Sequence, residues 1–216
     1  MTETNEKPII ILGSGLAGYT LAKEFRKLDA ETPVTIISND DGRSYSKPML
    51  SAGFTKDKTA AALALATAGD MATNLKASIR TKAEVTAINT EEHTIQLGEE
   101  VLEYSKLVLA LGAKTHQAPL EGDGIDVVYS INDLEDYDRF RQAAIGKKRV
   151  AIVGAGLIGC EFANDLVNGG YEVDVIAPST SVLPTMLPEV PAKALQAGLE
   201  SIGVRFHLGA LAHRVI

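Results

Sequence analysis

Cysteine and tryptophan are nearly absent from this chain of 216 residues. Cys160 is the only cysteine and there is no tryptophan, so no disulfide can form within the chain, and a reducing compartment fits this composition. The polar N-terminus, MTETNEKP, is followed by an apolar run, PIIIL, which is far too short to span a bilayer. We therefore expect a cytoplasmic protein.

Basic residues are also few, since 21 lysines and arginines stand against 28 aspartates and glutamates, for a net charge of −7. Proteins that bind nucleic acid usually present a basic face, so this balance argues against nucleic acid as a partner. The four histidines are scattered without metal-ligand spacing, and no metal site is expected. The length suffices for one large domain or two small ones, with a sizeable core.

Glycine, by contrast, is frequent, and two G-x-G-x-x-G motifs stand out. The first motif consists of Gly13, Gly15 and Gly18, and the second consists of Gly154, Gly156 and Gly159. Each follows an apolar run and precedes apolar residues at helical spacing, which predicts a strand–turn–helix unit. In such units the glycines allow a tight turn, approach of a pyrophosphate, and close packing of helix on strand. A single motif has a purely structural turn as an equal alternative, but the pair predicts two dinucleotide-binding sites.

The wider pattern predicts an α/β fold with two Rossmann-like units, each built on a parallel sheet. Strands are expected at 8–12 and 33–38 in the first unit, and at 149–153 and 171–177 in the second. The segments AEVTAIN and HTIQL predict a small antiparallel β-hairpin region. We expect domains at 1–119 and 120–216, and an incomplete second unit, because the sequence stops just after the predicted strand VRFHL.

Dinucleotide sites usually carry an acidic residue about 20 residues beyond the glycines, where it accepts the ribose hydroxyls. In the first unit Asp40 occupies this position, and a solvated turn in NDDG is the alternative interpretation. In the second unit the corresponding position is Ala177, and no arginine stands there to hold a 2′-phosphate. The second site is therefore expected to take NADH in preference to NADPH.

Four segments of the chain resemble the FAD-dependent pyridine-nucleotide reductases: GSGLAG, YSKPMLS, KLVLALGA and GAGLIGCE. The similarity is greatest to the bacterial rubredoxin–NAD(+) reductases, through DDGRSYSKPMLS and GLIGCEFANDL, and it extends over essentially the whole chain. The resemblance implies FAD in the domain 1–119 and NAD in the domain 120–216. It also implies a flavoprotein oxidoreductase that passes electrons from NADH through FAD to rubredoxin or a similar small iron-redox protein. Members of this family continue well beyond the length of this chain, so a truncated form is expected.

The resemblance also assigns site residues. It implies catalytic roles for Lys47 and Glu161 beside the flavin, and we expect their charged atoms to lie within about 4 Å of each other. Leu111 stands where the family usually has threonine, which removes a side-chain hydrogen bond there. The implied cofactor-binding residues are Gly13, Ser14, Gly15, Leu16, Ala17, Gly18, Asn39, Asp40, Lys47, Val85, Gly154, Gly156, Gly159 and Glu161.

The cysteine count separates two branches of this superfamily. Disulfide reductases carry a C-x4-C pair after the first glycine motif, whereas no cysteine precedes residue 160 here. Electrons are therefore expected to leave the flavin directly, and Cys160 is expected to be a small buried side chain. The alternative function is a non-catalytic dinucleotide-binding or redox-sensing module.

Overall fold

The computed structural model describes residues 6–216, which divide into two compact units. The first unit contains the chain up to Ser46 together with Ala64–Lys114, and the second contains Lys47–Leu63 and Thr115–Ile216. This division differs from the single cut expected between residues 119 and 120. The segment Lys47–Leu63 joins the second unit because its side chains and amides bond to helices of that unit, as described below.

The elements are labelled in chain order. The strands in residues 6–216 are β1 (Ile9–Leu12), β2 (Val34–Ile37), β3 (Ser44–Tyr45), β4 (Ala64–Ala66), β5 (Ser78–Arg80), β6 (Val85–Asn89), β7 (Thr94–Leu97), β8 (Glu100–Glu103), β9 (Lys106–Leu109), β10 (Arg149–Val153), β11 (Glu172–Ala177) and β12 (Val204–Leu208). The α-helices are α1 (Leu16–Leu28), α2 (Ala60–Leu63), α3 (Ala68–Leu75), α4 (Leu134–Ala144), α5 (Leu157–Asn168) and α6 (Glu189–Ser201), and short 3₁₀ helices cover Lys47–Ala52 and Ile125–Val127.

The first unit is a parallel sheet in the order β5-β2-β1-β9, with an antiparallel sheet β6-β7-β8 beside it. Successive residues of β1 pack into two different hydrophobic clusters, one on each face of the sheet. Ile11 packs with residues of α1 and α3, whereas Ile10 and Leu12 pack with Ile95 and Tyr104 of the antiparallel region. A parallel strand covered on both faces must be apolar throughout, which explains the unbroken run in β1.

The second unit is a parallel sheet in the order β10-β11-β12. Helix α5 connects β10 to β11, and α6 connects β11 to β12. Val173 and Val175 of β11 are fully buried, as is Leu166 on α5. The predicted α/β class with two Rossmann-like parallel units and an antiparallel hairpin is therefore confirmed. Within residues 6–216 no helix is both long and apolar enough to cross a membrane.

Candidate dinucleotide sites

The first glycine motif forms the turn between β1 and α1. Gly13 has φ +115°, and its N–H donates to the carbonyl oxygen of Ile37 at 2.8 Å. A Cβ on Gly18 would lie 2.0 Å from the carbonyl oxygen of Gly13, so only glycine fits at that position. Gly15 is different, because it is the N-cap of α1 and a Cβ there would meet no atom within 4 Å. The backbone at Gly15 therefore borders open space.

The second motif repeats this geometry between β10 and α5. Gly154 has φ +117°, and its N–H donates to the carbonyl oxygen of Ile176 at 2.8 Å. A Cβ on Gly159 would lie 2.1 Å from the carbonyl oxygen of Gly154, whereas a Cβ on the N-cap residue Gly156 would again meet nothing within 4 Å. Both motifs therefore form the strand–turn–helix units that the sequence predicts.

The N-termini of α1 and α5 differ from those of α3 and α4. Thr67 caps α3 and Asp133 caps α4 through side-chain oxygens. Helices α1 and α5 have no side-chain cap and no acidic residue in the first turn. Their first N–H groups therefore keep the partial positive charge of a helix N-terminus, which attracts an anion. An open glycine beside uncapped amides fits the pyrophosphate of a dinucleotide in each unit.

Asp40 lies in the loop after β2 and is bonded to the first motif. Its Oδ1 atom lies 2.9 Å from Ser14 Oγ and 2.6 Å from Ser38 Oγ, and it accepts the N–H of Gly42 at 2.8 Å. Ser14 is itself buried. All three of these contacts are made to Oδ1. Asp40 is thus part of an ordered network, and its role at the ribose stays a prediction.

Tyr19 of α1 also holds this loop. Its hydroxyl donates to the carbonyl oxygen of Gly42 at 2.5 Å, and its side chain is buried. Burial, together with the nearby carboxylates of Asp40 and Asp41, raises the pKa of Tyr19 to about 12. The phenol is therefore neutral at physiological pH and holds the loop against α1.

The end of β11 carries no comparable carboxylate. Ala177 is buried there, and the hydroxyl of Ser179 donates to the carbonyl oxygen of Ser181 at 2.9 Å. No arginine occurs between residues 149 and 205. The preference for NADH over NADPH therefore continues to rest on the missing arginine, and it stays a prediction.

Lys47 and Glu161 both lie in the second unit, but they do not form the direct ion pair that we expected. The Lys47 ammonium donates to Asn132 Oδ1 at 2.8 Å, and Ser51 Oγ donates to Glu161 Oε2 at 2.8 Å. Within residues 6–216 the two charged groups are not within 4 Å of each other. The expectation of direct contact is wrong because each exposed charge has a polar partner of its own, and an exposed ion pair offers little extra stability.

Glu161 does not lie at the N-terminus of its helix. Helix α5 begins at Leu157, which makes Glu161 its fifth residue, beyond the first turn. The macrodipole acts mainly on groups in the first turn, so it does not explain the carboxylate at this position. Catalytic roles for Lys47 and Glu161 stay predictions.

Asp165 is the polar residue that sequence reasoning missed. It is a carboxylate only 1% exposed, and its two oxygens accept the N–H groups of Phe54 at 2.9 Å and Thr55 at 2.8 Å. The sequence contained a signal for this internal role. Asp165 lies beside Leu166 and three residues after Phe162, which places it on the buried face of α5. A charged residue on the apolar face of a predicted helix indicates a specific internal partner.

The remaining predicted residues are distributed over the first unit and α5. Leu16 and Ala17 are exposed beside the first motif, and Asn39 is exposed next to Asp40. Val85 begins β6 and packs against the core on the antiparallel side of the sheet. Cys160 is buried, which confirms the structural interpretation, and burial raises the pKa of its thiol.

Comparison with known proteins adds independent information. The family described as pyridine nucleotide-disulphide oxidoreductase matches residues 7–216. The chain is 53% identical to a rubredoxin-NAD(+) reductase from Alcanivorax borkumensis, over 96% of this chain and 54% of that protein. It is 37% identical to a nitric oxide reductase FlRd-NAD(+) reductase from Vibrio vulnificus, over 94% of this chain and 53% of that protein. The chain thus spans about half the length of the curated relatives that it matches.

The fold also matches solved structures. The structure of a covalent putidaredoxin reductase–putidaredoxin complex matches with a TM-score of 0.84, over 94% of this chain and 50% of that chain. The sequence identity is 24%, so this match concerns the fold alone.

Proposed function

We propose that this chain, which belongs to the pyridine nucleotide-disulphide oxidoreductase family, binds FAD in its first unit and NADH in its second. In this proposal it takes part in electron transfer from NADH through FAD to a small iron-redox protein such as rubredoxin. The observation that carries the proposal is an arrangement that occurs twice, at Gly15 and at Gly156: a glycine that borders open space at the N-terminus of a helix without a side-chain cap. We call this arrangement a glycine cradle. Two such sites in one chain suit a reaction between two dinucleotides.

The residues of the first unit have distinct tasks in this proposal. The first-turn N–H groups of α1 bind the pyrophosphate of FAD, since the bare backbone at Gly15 lets the phosphates approach. Asp40 accepts a ribose hydroxyl, while Ser14, Ser38 and Gly42 hold its Oδ1 atom in place. The cradle and the ribose acceptor are thus connected by direct hydrogen bonds.

The second unit binds NADH in the same manner, with its phosphates at the N-terminus of α5. FAD, when bound, accepts a hydride from NADH and can release electrons singly, which is what an iron carrier requires. The ammonium of Lys47, held by Asn132, would supply positive charge to stabilise negative charge on a bound flavin. Cys160 is the only cysteine, so the chain itself has no dithiol that could relay the electrons.

The choice of acceptor rests on the names of the relatives. The protein with 53% identity is named for rubredoxin, and the one with 37% identity is named for FlRd. We infer a small iron-redox protein as the class of acceptor and rubredoxin as the specific one, because the higher identity belongs to the rubredoxin-named relative.

The test uses the 216-residue chain supplied with FAD under anaerobic conditions. Addition of NADH is expected to bleach the visible absorption band of the bound flavin, and oxidised rubredoxin added next is expected to restore it. The matched control is Gly156→Ala, which should keep FAD but lose the response to low NADH concentrations. A chain that binds both nucleotides without any bleaching would be a dinucleotide-binding or redox-sensing module instead. Recovery with ferredoxin or flavorubredoxin alone would refute rubredoxin as the acceptor.

A further inference from the structure

The segment Lys47–Leu63 is attached to α5 at two points. At the first, Ser51 Oγ donates to Glu161 Oε2 at 2.8 Å, on the exposed side of the helix. At the second, the buried carboxylate of Asp165 accepts the consecutive N–H groups of Phe54 and Thr55, and Thr55 Oγ1 donates to the Asp165 carbonyl oxygen at 3.3 Å. The two attachment points on α5 lie about 6 Å apart along the axis, because four residues separate them at 1.5 Å each.

The chemistry of the second point requires a carboxylate. Two N–H groups of adjacent residues converge on one buried side chain, and the N–H of Phe54 in particular needs an acceptor because that hydrogen bond is buried. A carboxylate offers two acceptor oxygens, whereas an amide of the same shape offers one oxygen and turns a second donor toward the remaining N–H. The isosteric change Asp165→Asn therefore disrupts this contact without leaving a cavity.

The order of the two contacts shows how the segment Lys47–Leu63 is aligned along α5. Ser51 meets Glu161 and the later residue Phe54 meets Asp165, so the segment and α5 run in the same direction. Lys47 lies four residues before Ser51, at the start of the 3₁₀ segment Lys47–Ala52, whose backbone is non-helical at Ser51. The Lys47 ammonium is held by Asn132 Oδ1 at 2.8 Å, so this contact depends on where the segment lies on α5.

We propose that Asp165 is a positioning residue that acts through the segment Lys47–Leu63, by holding it on α5 in the register in which Ser51 meets Glu161 and Lys47 meets Asn132. This inference rests on the proposed function, which gives Lys47 its role. No reaction step is assigned to Asp165 itself, because its oxygens are buried against backbone amides.

The aromatic contacts of Phe54 make the proposal testable in a folded protein. Its ring contacts Tyr137, Phe140 and Tyr171 edge-on, with ring centroids 5.5 to 5.7 Å apart. The Tyr137 hydroxyl also donates to the carbonyl oxygen of Lys58 at 2.8 Å. These contacts remain in Asp165→Asn, so the segment is expected to stay near α5 while its register loosens.

The first measurement is hydrogen exchange by mass spectrometry on the nucleotide-free chain. In Asp165→Asn the amides of residues 47–55 are expected to exchange on the order of tenfold faster or more, because the hydrogen bonds to Phe54 and Thr55 are impaired. The matched control is Asp174→Asn, which removes a carboxylate bonded to Arg205 on the sheet of the same unit and should leave residues 47–55 unchanged. Unchanged exchange in Asp165→Asn would overturn the proposal.

A second variant keeps the test decisive if Asp165→Asn does not fold. Ser51→Ala removes the exposed attachment point and leaves the buried one intact. Faster exchange is then expected in residues 47–52 but not at Phe54 and Thr55. If Ser51→Ala releases the whole segment, Asp165 is not the residue that holds it.

The kinetic measurement separates positioning from a purely structural role. Flavin reduction at saturating NADH is expected to slow about tenfold in Asp165→Asn, with the Kd for NADH changed less than twofold. The double variant with Lys47→Met should be no slower than Lys47→Met alone, because both changes act through one ammonium group. Rate losses that multiply would overturn the positioning role. A wild-type chain that shows no flavin reduction would refute the proposed function. Hydrogen exchange alone would then decide whether Asp165 holds the segment Lys47–Leu63 on α5.

Discussion

Alanine at Gly156 and alanine at Gly159 should have opposite consequences, although the two glycines lie in one motif. Gly156 has φ −78° and ψ −177°, an extended conformation that alanine also adopts, and a Cβ there meets nothing within 4 Å. Its loss as an N-cap residue should cost about 1 kcal/mol or less of unfolding free energy. Gly156→Ala is therefore expected to fold normally.

The same methyl group should weaken nucleotide binding strongly. It projects into the open space beside the uncapped N–H groups of α5, where a phosphate must approach the backbone. Loss of one charge-assisted hydrogen bond costs about 1.5–3 kcal/mol, which corresponds to roughly 10- to 150-fold in Kd. Titration of NADH fluorescence measures this change. Gly15→Ala is the matched control, since it alters the first cradle and should leave NADH affinity unchanged.

Gly159→Ala should instead damage the fold. Its Cβ would lie 2.1 Å from the carbonyl oxygen of Gly154, more than 1 Å inside an ordinary contact of about 3.3 Å. Both atoms are fixed by the backbone, so α5 must move away from β10, at a cost of about 1–3 kcal/mol or more. Urea unfolding followed by far-ultraviolet circular dichroism measures this loss. Wild-type NADH affinity in Gly156→Ala, or wild-type stability in Gly159→Ala, would refute the assignment of these roles.

Three further predictions concern other residues. Lys47→Met is expected to slow flavin reduction by NADH at least tenfold while the Kd for NADH changes little, in stopped-flow absorbance; reduction at the wild-type rate would contradict its role. The kcat/KM for NADH should exceed that for NADPH, because no arginine stands at the end of β11 next to Ala177, and equal values would refute this preference. Tyr19→Phe should lower the unfolding free energy by about 1 kcal/mol at pH 7, through loss of its bond to Gly42. Since the folded pKa of Tyr19 is about 12 against a usual 10.0, the wild type should also lose up to about 2.7 kcal/mol as the pH rises from 10 to 12. Tyr19→Phe should lack this alkaline loss in urea titrations, and an identical loss in both proteins would exclude Tyr19 as its source.

Local patterns predicted much of the architecture. The glycine spacing and the apolar runs before it predicted both strand–turn–helix units, because the turn and the close helix packing depend on residues within six positions of each other. The hairpin at β6 and β7 was predicted from alternation across a short turn. The short strands β5 and β8 were not predicted, since runs such as SIR and EVLE become strands only through their neighbours.

Tertiary structure decided how distant segments meet. The sequence by itself determined two cradles, an acidic residue near the first and the absence of an arginine near the second, because each depends on local spacing. Only the folded chain assigned Lys47–Leu63 to the second unit, since that assignment depends on hydrogen bonds to Asp165, more than 100 positions away. Likewise, Lys47 binds Asn132 and Glu161 binds Ser51, although the family resemblance implied a direct pair. A resemblance assigns roles to residues, whereas the backbone geometry of this chain decides which polar group lies within reach.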